Sequence, residues 1–240
     1  GNYDATIGVM AHELGHAIFC YPDLYDTTAK SSGIGVFGLM SHGVWGSKQG
    51  EYGGATPAHL MAWSKYKSDG SLCYKWYGNT ANFNNVVFEL PDNISSNTSS
   101  VTLYHTTHTN FNTKIINISG KTKEYFMLEN IGHGGYQAGL DYIIGGNDNT
   151  SGIAIWHIDD NQSGNNDYNH KLVDLEEGAD AGLDLGTHSG KQTNLFFSGN
   201  KTEFSDSTDP NSKTYSGSSS GITIDNISAR GDSMTFDVTF

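Results

Sequence analysis

The sequence has few basic residues, few prolines and no long hydrophobic run. Its 240 residues include 13 Lys+Arg against 26 Asp+Glu, for a formal net charge of −13. This balance excludes nucleic acid or an anionic membrane surface as the main partner, because both require a basic face on the protein. No apolar run approaches the roughly 20 residues that a membrane-spanning helix needs. We therefore expect no nucleic-acid partner and no membrane span.

The chain is also poor in cysteine and proline. Cys20 and Cys73 are the only cysteines, and their separation does not show whether they form a disulfide or remain free thiols. Only 4 prolines accompany 30 glycines and many Ser, Thr and Asn residues. That composition predicts many tight turns and favours a loop-rich protein with much β-structure.

Apolar spacing predicts two helices in the first third of the chain. Residues 2–19 repeat apolar positions at three- and four-residue steps, and this helix should end before Pro22. A second helix is predicted over residues 56–67, because Thr followed by Pro is typical of a helix start. The glycine-rich residues 31–55 between them have no steady period and predict an irregular loop.

From about residue 84 the sequence changes to short β-rich runs bounded by Gly, Asn, Asp or Ser, which favours a sandwich or barrel. The runs cover residues 86–90, 101–105, 114–118, 125–129, 153–158, 222–227 and 234–240. A polar, acidic stretch over 159–221 interrupts them. We place a boundary near residues 70–84. The prediction is an α+β protein with a helical subdomain at 1–78 and an all-β sandwich domain at 79–240.

The strongest chemical motif is His12-Glu13-Leu14-Gly15-His16 in the first predicted helix. Two histidines four residues apart lie on one helix face, so both imidazoles can reach one metal ion. Glu13 lies beside that face, where it can take a proton from a zinc-polarised water and later pass it to the departing amine. The alternative is a chance occurrence of the pattern on an amphipathic helix.

A catalytic zinc takes three protein ligands and leaves a fourth position open. Asp23 and Asp26 follow the helix closely enough for either carboxylate to fold back to the ion. Met40 stands in a Gly-rich segment downstream, and a methionine there is typical of metzincins, where it lies beneath the zinc ligands. An ordinary core methionine is the alternative for Met40 alone.

Together these segments resemble the immune inhibitor A family of secreted bacterial zinc metallopeptidases, of the metzincin clan. The resemblance is carried by HELGH (12–16), PDLYD (22–26), GLMSHGVW (38–45), ATPAHLMAWSKYK (55–67), YFMLEN (125–130), SGIAIWHIDDN (151–161), DPNSKTYSG (209–217) and the two last strands. It implies a zinc-dependent endopeptidase that is secreted, acts on protein or peptide substrates and contains structural calcium. It also implies Glu13 as general base and His12, His16 and Asp23 as zinc ligands.

The sequence departs from the family pattern in two respects. Phe19 stands where family members have glycine, and Asp23 lies seven residues after His16 where they have six. A bulge or a slightly longer helix could absorb the extra residue, so Asp23 is the expected third ligand, with Asp26 and the remote Glu51 as alternatives. The family also has an upstream subdomain that aligns the substrate. Because only eleven residues precede His12, this chain is expected to lack that half, and either it is inactive alone or the upstream half is a separate chain.

Other polar and aromatic residues suggest weaker hypotheses. His42 could stabilise an oxyanion, although a histidine in a surface loop is the simpler interpretation. Tyr25 could line the cleft, although a tyrosine packed on the helix is simpler. His59 has no predicted role. Oxygen-bearing side chains suit calcium or a solvated loop: Asp159, Asp160, Asn161, Asn165, Asn166 and Asp167. The alternative to an enzyme is a binding or adhesion module with a degenerate zinc site. In that interpretation aromatics such as Trp76, Tyr77 and Trp156 would stack on a glycan.

Overall fold

The computed structural model describes residues 5–67, 92–106, 111–132, 137–144 and 152–240. Its helices are α1 (Ile7–Phe19), α2 (Ala62–Lys67) and α3 (Ala138–Ile143), with short 3-10 helices at Gly35–Phe37, His42–Trp45 and Gln192–Asn194. Its strands are β1 (Asp92–Ile94), β2 (Thr98–Tyr104), β3 (Thr113–Asn117), β4 (Glu124–Ile131), β5 (Gly152–Asp159), β6 (Val173–Leu175), β7 (Thr223–Asp225) and β8 (Ser233–Thr239). The α+β class is therefore confirmed. No helix in these ranges has the length and apolarity to cross a membrane.

The strands form two sheets. The five-stranded sheet has the order β1-β3-β4-β5-β6, in which β1 and β3 are parallel and the other neighbours antiparallel. The second sheet has the antiparallel order β2-β8-β7. In β8 the side chains alternate, since Met234, Phe236 and Val238 are buried. Every residue of β4 and β5 is buried, so the centre of the larger sheet is covered on both faces.

A single hydrophobic core joins the helical and the β-rich parts of the chain. It includes Met40 and Trp63 together with Phe126 and Trp156 of the central strands. Helix α2 lies against β4, where Lys65 Nζ forms an ion pair with Glu129 Oε1 at 3.0 Å and both side chains are buried. The predicted boundary at 70–84 falls in residues 68–91, outside the described residues. The division into domains and the sandwich arrangement stay predictions.

Helix α1 begins later than predicted. Residues 5 and 6 are not helical, and residues 2–4 lie outside the described part of the chain. The start of the helix pairs with a neighbouring loop: Thr6 Oγ1 donates to Gly53 O at 2.9 Å, and Gly8 N donates to Gly54 O at 2.9 Å. The second contact gives one free amide of the first turn a partner, and both attach the start of the helix to the loop.

The prediction that the second helix starts at Thr56 is wrong. The amides of residues 56 and 58 are used by the preceding loop, because Thr56 N donates to Gly46 O at 3.0 Å and Ala58 N donates to Gly43 O at 2.8 Å. A helix from Thr56 would pair Ala62 N with Ala58 O, but Ala62 N donates to Glu129 Oε2 at 2.8 Å, and the helix begins at Ala62. The loop 31–55 is irregular as predicted, apart from its two 3-10 helices.

Most predicted strands are present with ends shifted by a few residues, whereas the run at 86–90 lies outside the described residues. Describing residues 79–240 as all-β is wrong, because α3 lies among the strands. This helix packs against the loop before α2, and a Cβ at Gly139 would lie only 1.8 Å from Thr56 O. The stretch 159–221 contains β6 and a 3-10 helix, and it buries Leu195 and Phe196 in the core.

Candidate metal centre

Helix α1 turns its histidines, and not its apolar side chains, toward the rest of the protein. His12 is buried together with Gly8 and Gly15. The apolar side chains on the opposite face are 42–61% exposed: Ile7, Met10, Leu14 and Ile18. Close approach of the helix depends on its glycines, since a Cβ at Gly15 would lie 2.6 Å from the sulfur of Met40. The fully buried Met40 thus packs against the helical turn that separates His12 from His16.

Backbone carbonyls orient both histidine rings. His12 Nδ1 lies 3.0 Å from Leu39 O, and His16 Nδ1 lies 2.5 Å from Tyr21 O. A carbonyl oxygen can only accept a hydrogen bond, so each Nδ1 carries the ring hydrogen and donates it. Each Nε2 then presents a lone pair, which is the form of histidine that binds a metal. The sequence did not predict these two carbonyl contacts, because every residue has a backbone carbonyl and its position depends on the fold.

The two Nε2 atoms meet the carboxylate of Asp23. They lie 3.1 Å apart, and Asp23 Oδ1 is 3.2 Å from that of His12 and 3.1 Å from that of His16. Ligand bonds of about 2.0–2.1 Å in tetrahedral zinc correspond to ligand–ligand separations of about 3.3 Å. Asp23 Oδ1 is buried and no donor in the described part of the chain hydrogen-bonds to it. Three converging electron-rich atoms repel one another unless a cation lies between them, so these residues fit zinc.

The extra residue before Asp23 is accommodated at the end of α1. Phe19 is the last helical residue, and Cys20 adopts the left-handed conformation with φ 55° and ψ 31°. Cys20 N donates to His16 O, the single bond of the αL motif that commonly ends a helix, and Tyr21 N donates to Gly15 O. The chain therefore reverses one residue later than the glycine of the family pattern would allow. Cys20 is disulfide-bonded, and Cys73 lies outside the described residues.

The alternative third ligands lie elsewhere. Asp26 is buried and accepts hydrogen bonds from Thr28 and from the amides of residues 30 and 31. Burial acts to raise its pKa, but these bonds outweigh burial and lower it. Glu51 accepts from Thr56 Oγ1 at 2.6 Å, and this bond lowers the pKa of Glu51. Among the described residues, Asp23 is the carboxylate that the fold brings to both histidines.

Glu13, Tyr25 and His42 surround this cluster. Glu13 is exposed on α1 next to His12. The ring of Tyr25 stacks on His42 with centroids 6.0 Å apart and lies 6.4 Å from the ring of His12. Burial raises the pKa of Tyr25, and the negative charges of Asp23 and Glu13 raise it further. Burial lowers the pKa of His42. His42 is therefore a partly buried neighbour of the cluster and not a surface residue.

The predicted calcium ligands have protein partners. Asp159 Oδ2 lies 2.7 Å from His170 Nε2, and Asp160 accepts from Trp63 Nε1 at 3.1 Å and from Lys67 Nζ at 2.5 Å. In the described ranges two groups of His, Asp and Glu could hold a metal ion, and neither contains Asp159 or Asp160. Calcium stays a prediction.

The remaining sequence hypotheses receive little support. Trp156 is fully buried, so stacking of Trp156 on a glycan is excluded, and Trp76 and Tyr77 lie outside the described residues. Burial lowers the pKa of His59 to about 3, and its backbone amide donates to Gln137 Oε1. This agrees with the absence of a predicted role for His59.

Comparison with known proteins gives one family match. Residues 2–77 match the model described as immune inhibitor A peptidase M6, catalytic domain. The resemblance seen in the sequence is thereby confirmed for this part of the chain, and the match supports a peptidase that acts on protein substrates. No curated protein matches the chain.

Proposed function

From the premise that residues 2–77 are immune inhibitor A-like, we propose that this chain is a secreted zinc-dependent endopeptidase, or the part of one that contains the zinc helix. Its reaction would be hydrolysis of peptide bonds in proteins. Membership of the metzincin clan is part of the proposal and is supported by Met40 beneath the helix turn. Secretion is supported by the disulfide at Cys20, because disulfides persist in oxidising compartments.

The observation that carries the proposal is the convergence of His12 Nε2, His16 Nε2 and Asp23 Oδ1 within 3.2 Å of one another. Three protein ligands with an open fourth position is the arrangement of catalytic zinc sites. Bound there, zinc would act as a Lewis acid and lower the pKa of its water toward neutrality. Leu39 O and Tyr21 O support this role because they keep both rings in the metal-binding tautomer.

Glu13 is the proposed general base. It is adjacent to His12, exposed at the surface, and close enough to Tyr25 for its charge to raise the pKa of that hydroxyl. Its carboxylate would take the proton of the attacking water and return it to the departing amine. His12, His16 and Asp23 would hold the ion and leave this proton transfer to Glu13.

The first test is the zinc content of the purified chain, combined with cleavage of a quenched generic protein substrate with and without chelator. We expect about one zinc per chain by analogy with single-ion catalytic sites, and cleavage that the chelator abolishes. Glu13→Gln should keep the zinc and lower kcat by roughly 10²- to 10⁴-fold, the usual contribution of a general base. Zinc-dependent cleavage that survives this substitution would overturn the role of Glu13.

Two other outcomes separate the alternatives. Zinc binding without cleavage would agree with the expectation that an upstream half is needed, and adding that half should restore cleavage. A chain that takes up no zinc, even after reconstitution, would overturn the peptidase proposal. The degenerate binding or adhesion module would then be the better interpretation.

A further inference from the structure

A turn from the β-rich part of the chain, residues 164–166, lies against the segment that carries Asp23. Asn165 is 1% exposed, and its Nδ2 donates to Leu24 O at 2.9 Å and to Val173 O at 2.7 Å. Its Oδ1 accepts from Val173 N at 3.1 Å. One side chain thus joins strand β6 to the carbonyl of Leu24, the residue after Asp23.

Asn166 makes a second bridge to the same segment. Its Oδ1 accepts from Thr27 N at 2.9 Å and from Thr27 Oγ1 at 2.8 Å. The turn also approaches Asp23 itself, since a Cβ at Gly164 would lie 3.8 Å from Asp23 O. Both asparagines were calcium candidates in the sequence, but their side-chain oxygens are used by backbone amides and a hydroxyl of the protein.

These contacts matter because they hold the backbone segment that carries Asp23, whose carboxylate is also hydrogen-bonded to the Tyr25 hydroxyl. Among the described residues no donor bonds to Asp23 Oδ1 itself, so the position of this atom depends on the Tyr25 contact to the carboxylate and on the backbone on either side. Leu24 is tied to the loop that contains Met40, through Leu24 N to Met40 O at 2.8 Å and Ile34 N to Leu24 O at 3.0 Å. Asn165 adds the contact that comes from the five-stranded sheet.

We propose that the Asn165-Asn166 turn is a positioning element that sets Asp23 as the third metal ligand. This inference rests on the proposed function. A metal site tolerates ligand displacements of only a few tenths of an ångström, so a loosened Asp23 segment weakens binding. Residues that act behind metal ligands in this way typically contribute roughly 10- to 100-fold in metal affinity.

The two asparagines have opposite requirements, which makes the test specific. Position 165 must donate to Leu24 O, so a carboxylate there would face two carbonyl oxygens. Position 166 only accepts, so a carboxylate there keeps the bonds from Thr27. Asn165→Ala and Asn165→Asp should therefore both weaken zinc binding. Asn166→Ala should weaken zinc binding to a smaller extent, and Asn166→Asp should keep the zinc affinity of the wild type.

The experiment measures the zinc Kd of the full 240-residue chain by competition with a chromophoric chelator. The absorption spectrum of the Co²⁺ form gives a second readout of ligand geometry. We expect zinc affinity to fall roughly 10- to 100-fold in both Asn165 variants and several-fold in Asn166→Ala, with an altered Co²⁺ spectrum. Asn166→Asp should bind zinc as tightly as the wild type.

The matched control is Asn130→Ala. Asn130 is also fully buried and donates to Gly231 O at 3.1 Å, but it contacts neither α1 nor the Asp23 segment. Asn130→Ala should lower Tm and leave the zinc Kd within about twofold of wild type, because its lost bonds lie outside the metal site.

If an Asn165 variant does not fold, the inference is tested by comparing Asn166→Ala with Asn166→Asp, since Asn166 is exposed. Unchanged affinity in Asn166→Ala, or equal losses in the control, would overturn the inference. A wild-type chain that binds no zinc would instead overturn the proposed function, and this inference with it.

Discussion

At the residue scale, Asp23 and Asp26 belong to one five-residue motif and have opposite environments. In the part of the chain that the structure describes, Asp23 Oδ1 has no hydrogen-bond donor and faces two imidazole nitrogens, whereas Asp26 accepts bonds from Thr28, Lys30 and Ser31. The Asp23 carboxylate is therefore arranged to bind a cation, whereas the Asp26 carboxylate stabilises the turn that follows it. The sequence left both as third-ligand candidates, because the choice depends on the backbone conformation at Cys20.

We predict that Asp23→Ala and Asp26→Ala separate metal binding from stability. Asp23→Ala should lower zinc affinity by at least 10-fold and leave the unfolding free energy of the metal-free chain nearly unchanged. Asp26→Ala should cost about 2 kcal/mol of stability, because it removes hydrogen bonds to a buried charged group. Chelator competition and chemical denaturation of the metal-free chain measure the two effects. Equal zinc affinity in Asp23→Ala and wild type would show that Asp23 is not a ligand.

At the element scale, helix α1 shows what periodicity can and cannot predict. The three- and four-residue spacing of apolar side chains predicted the helix correctly, but those side chains are on its exposed face. The buried face consists of glycine and histidine because the helix backbone itself makes the contact. At Gly8, a Cβ would lie 2.0 Å from Val44 O. Similarly, Thr56 and Pro57 are typical of a helix start, but the segment after them follows the preceding loop, and Ala62 N bonds to Glu129 Oε2 and not to Ala58 O.

Gly15 and Met40 allow a test of this close contact. Gly15→Ala should destabilise the chain by about 1–3 kcal/mol, because the new methyl group overlaps the Met40 side chain. In the Met40→Ala background the same change should be neutral or stabilising, since the space is free and alanine favours a helix by about 1 kcal/mol over glycine. Denaturant unfolding of the four proteins of this double-mutant cycle gives the answer. Additive effects would show that the two side chains do not interact.

At the scale of the whole molecule, residues far apart in sequence meet in ways that no local pattern reveals. The strand runs could be predicted because alternation and turn residues are local. The pairing of β5 with β4 and with β6 could not, and it places His157 between Glu124 and Glu176, with each ring nitrogen 3.2 Å from a carboxylate oxygen. Asn165 is a similar case, since its partners Leu24 and Val173 belong to different parts of the chain.

His157 should make stability depend on pH. Burial acts to lower its pKa, but hydrogen bonds to Glu124 and Glu176 outweigh burial and raise it from 6.5 to about 9. A histidine with a raised folded-state pKa stabilises the fold fully below pH 6.5, and this contribution is lost as the pH rises through about 9. The full contribution is on the order of 3 kcal/mol. Glu124 is affected in the opposite sense, because the same contacts help to lower its pKa to about 2.

We therefore expect the unfolding free energy of the metal-free chain to decrease between pH 6.5 and 9, and the difference between wild type and His157→Gln to shrink over the same range. The measurement is denaturant unfolding at several pH values in the presence of chelator, so that metal binding does not add to the unfolding free energy. Taking the difference removes the titration of other buried groups, such as Glu177, whose pKa burial raises to about 8. A difference that stays constant with pH would mean that the histidine between the two carboxylates is neutral, and that its contacts stabilise the central sheet without an ion pair.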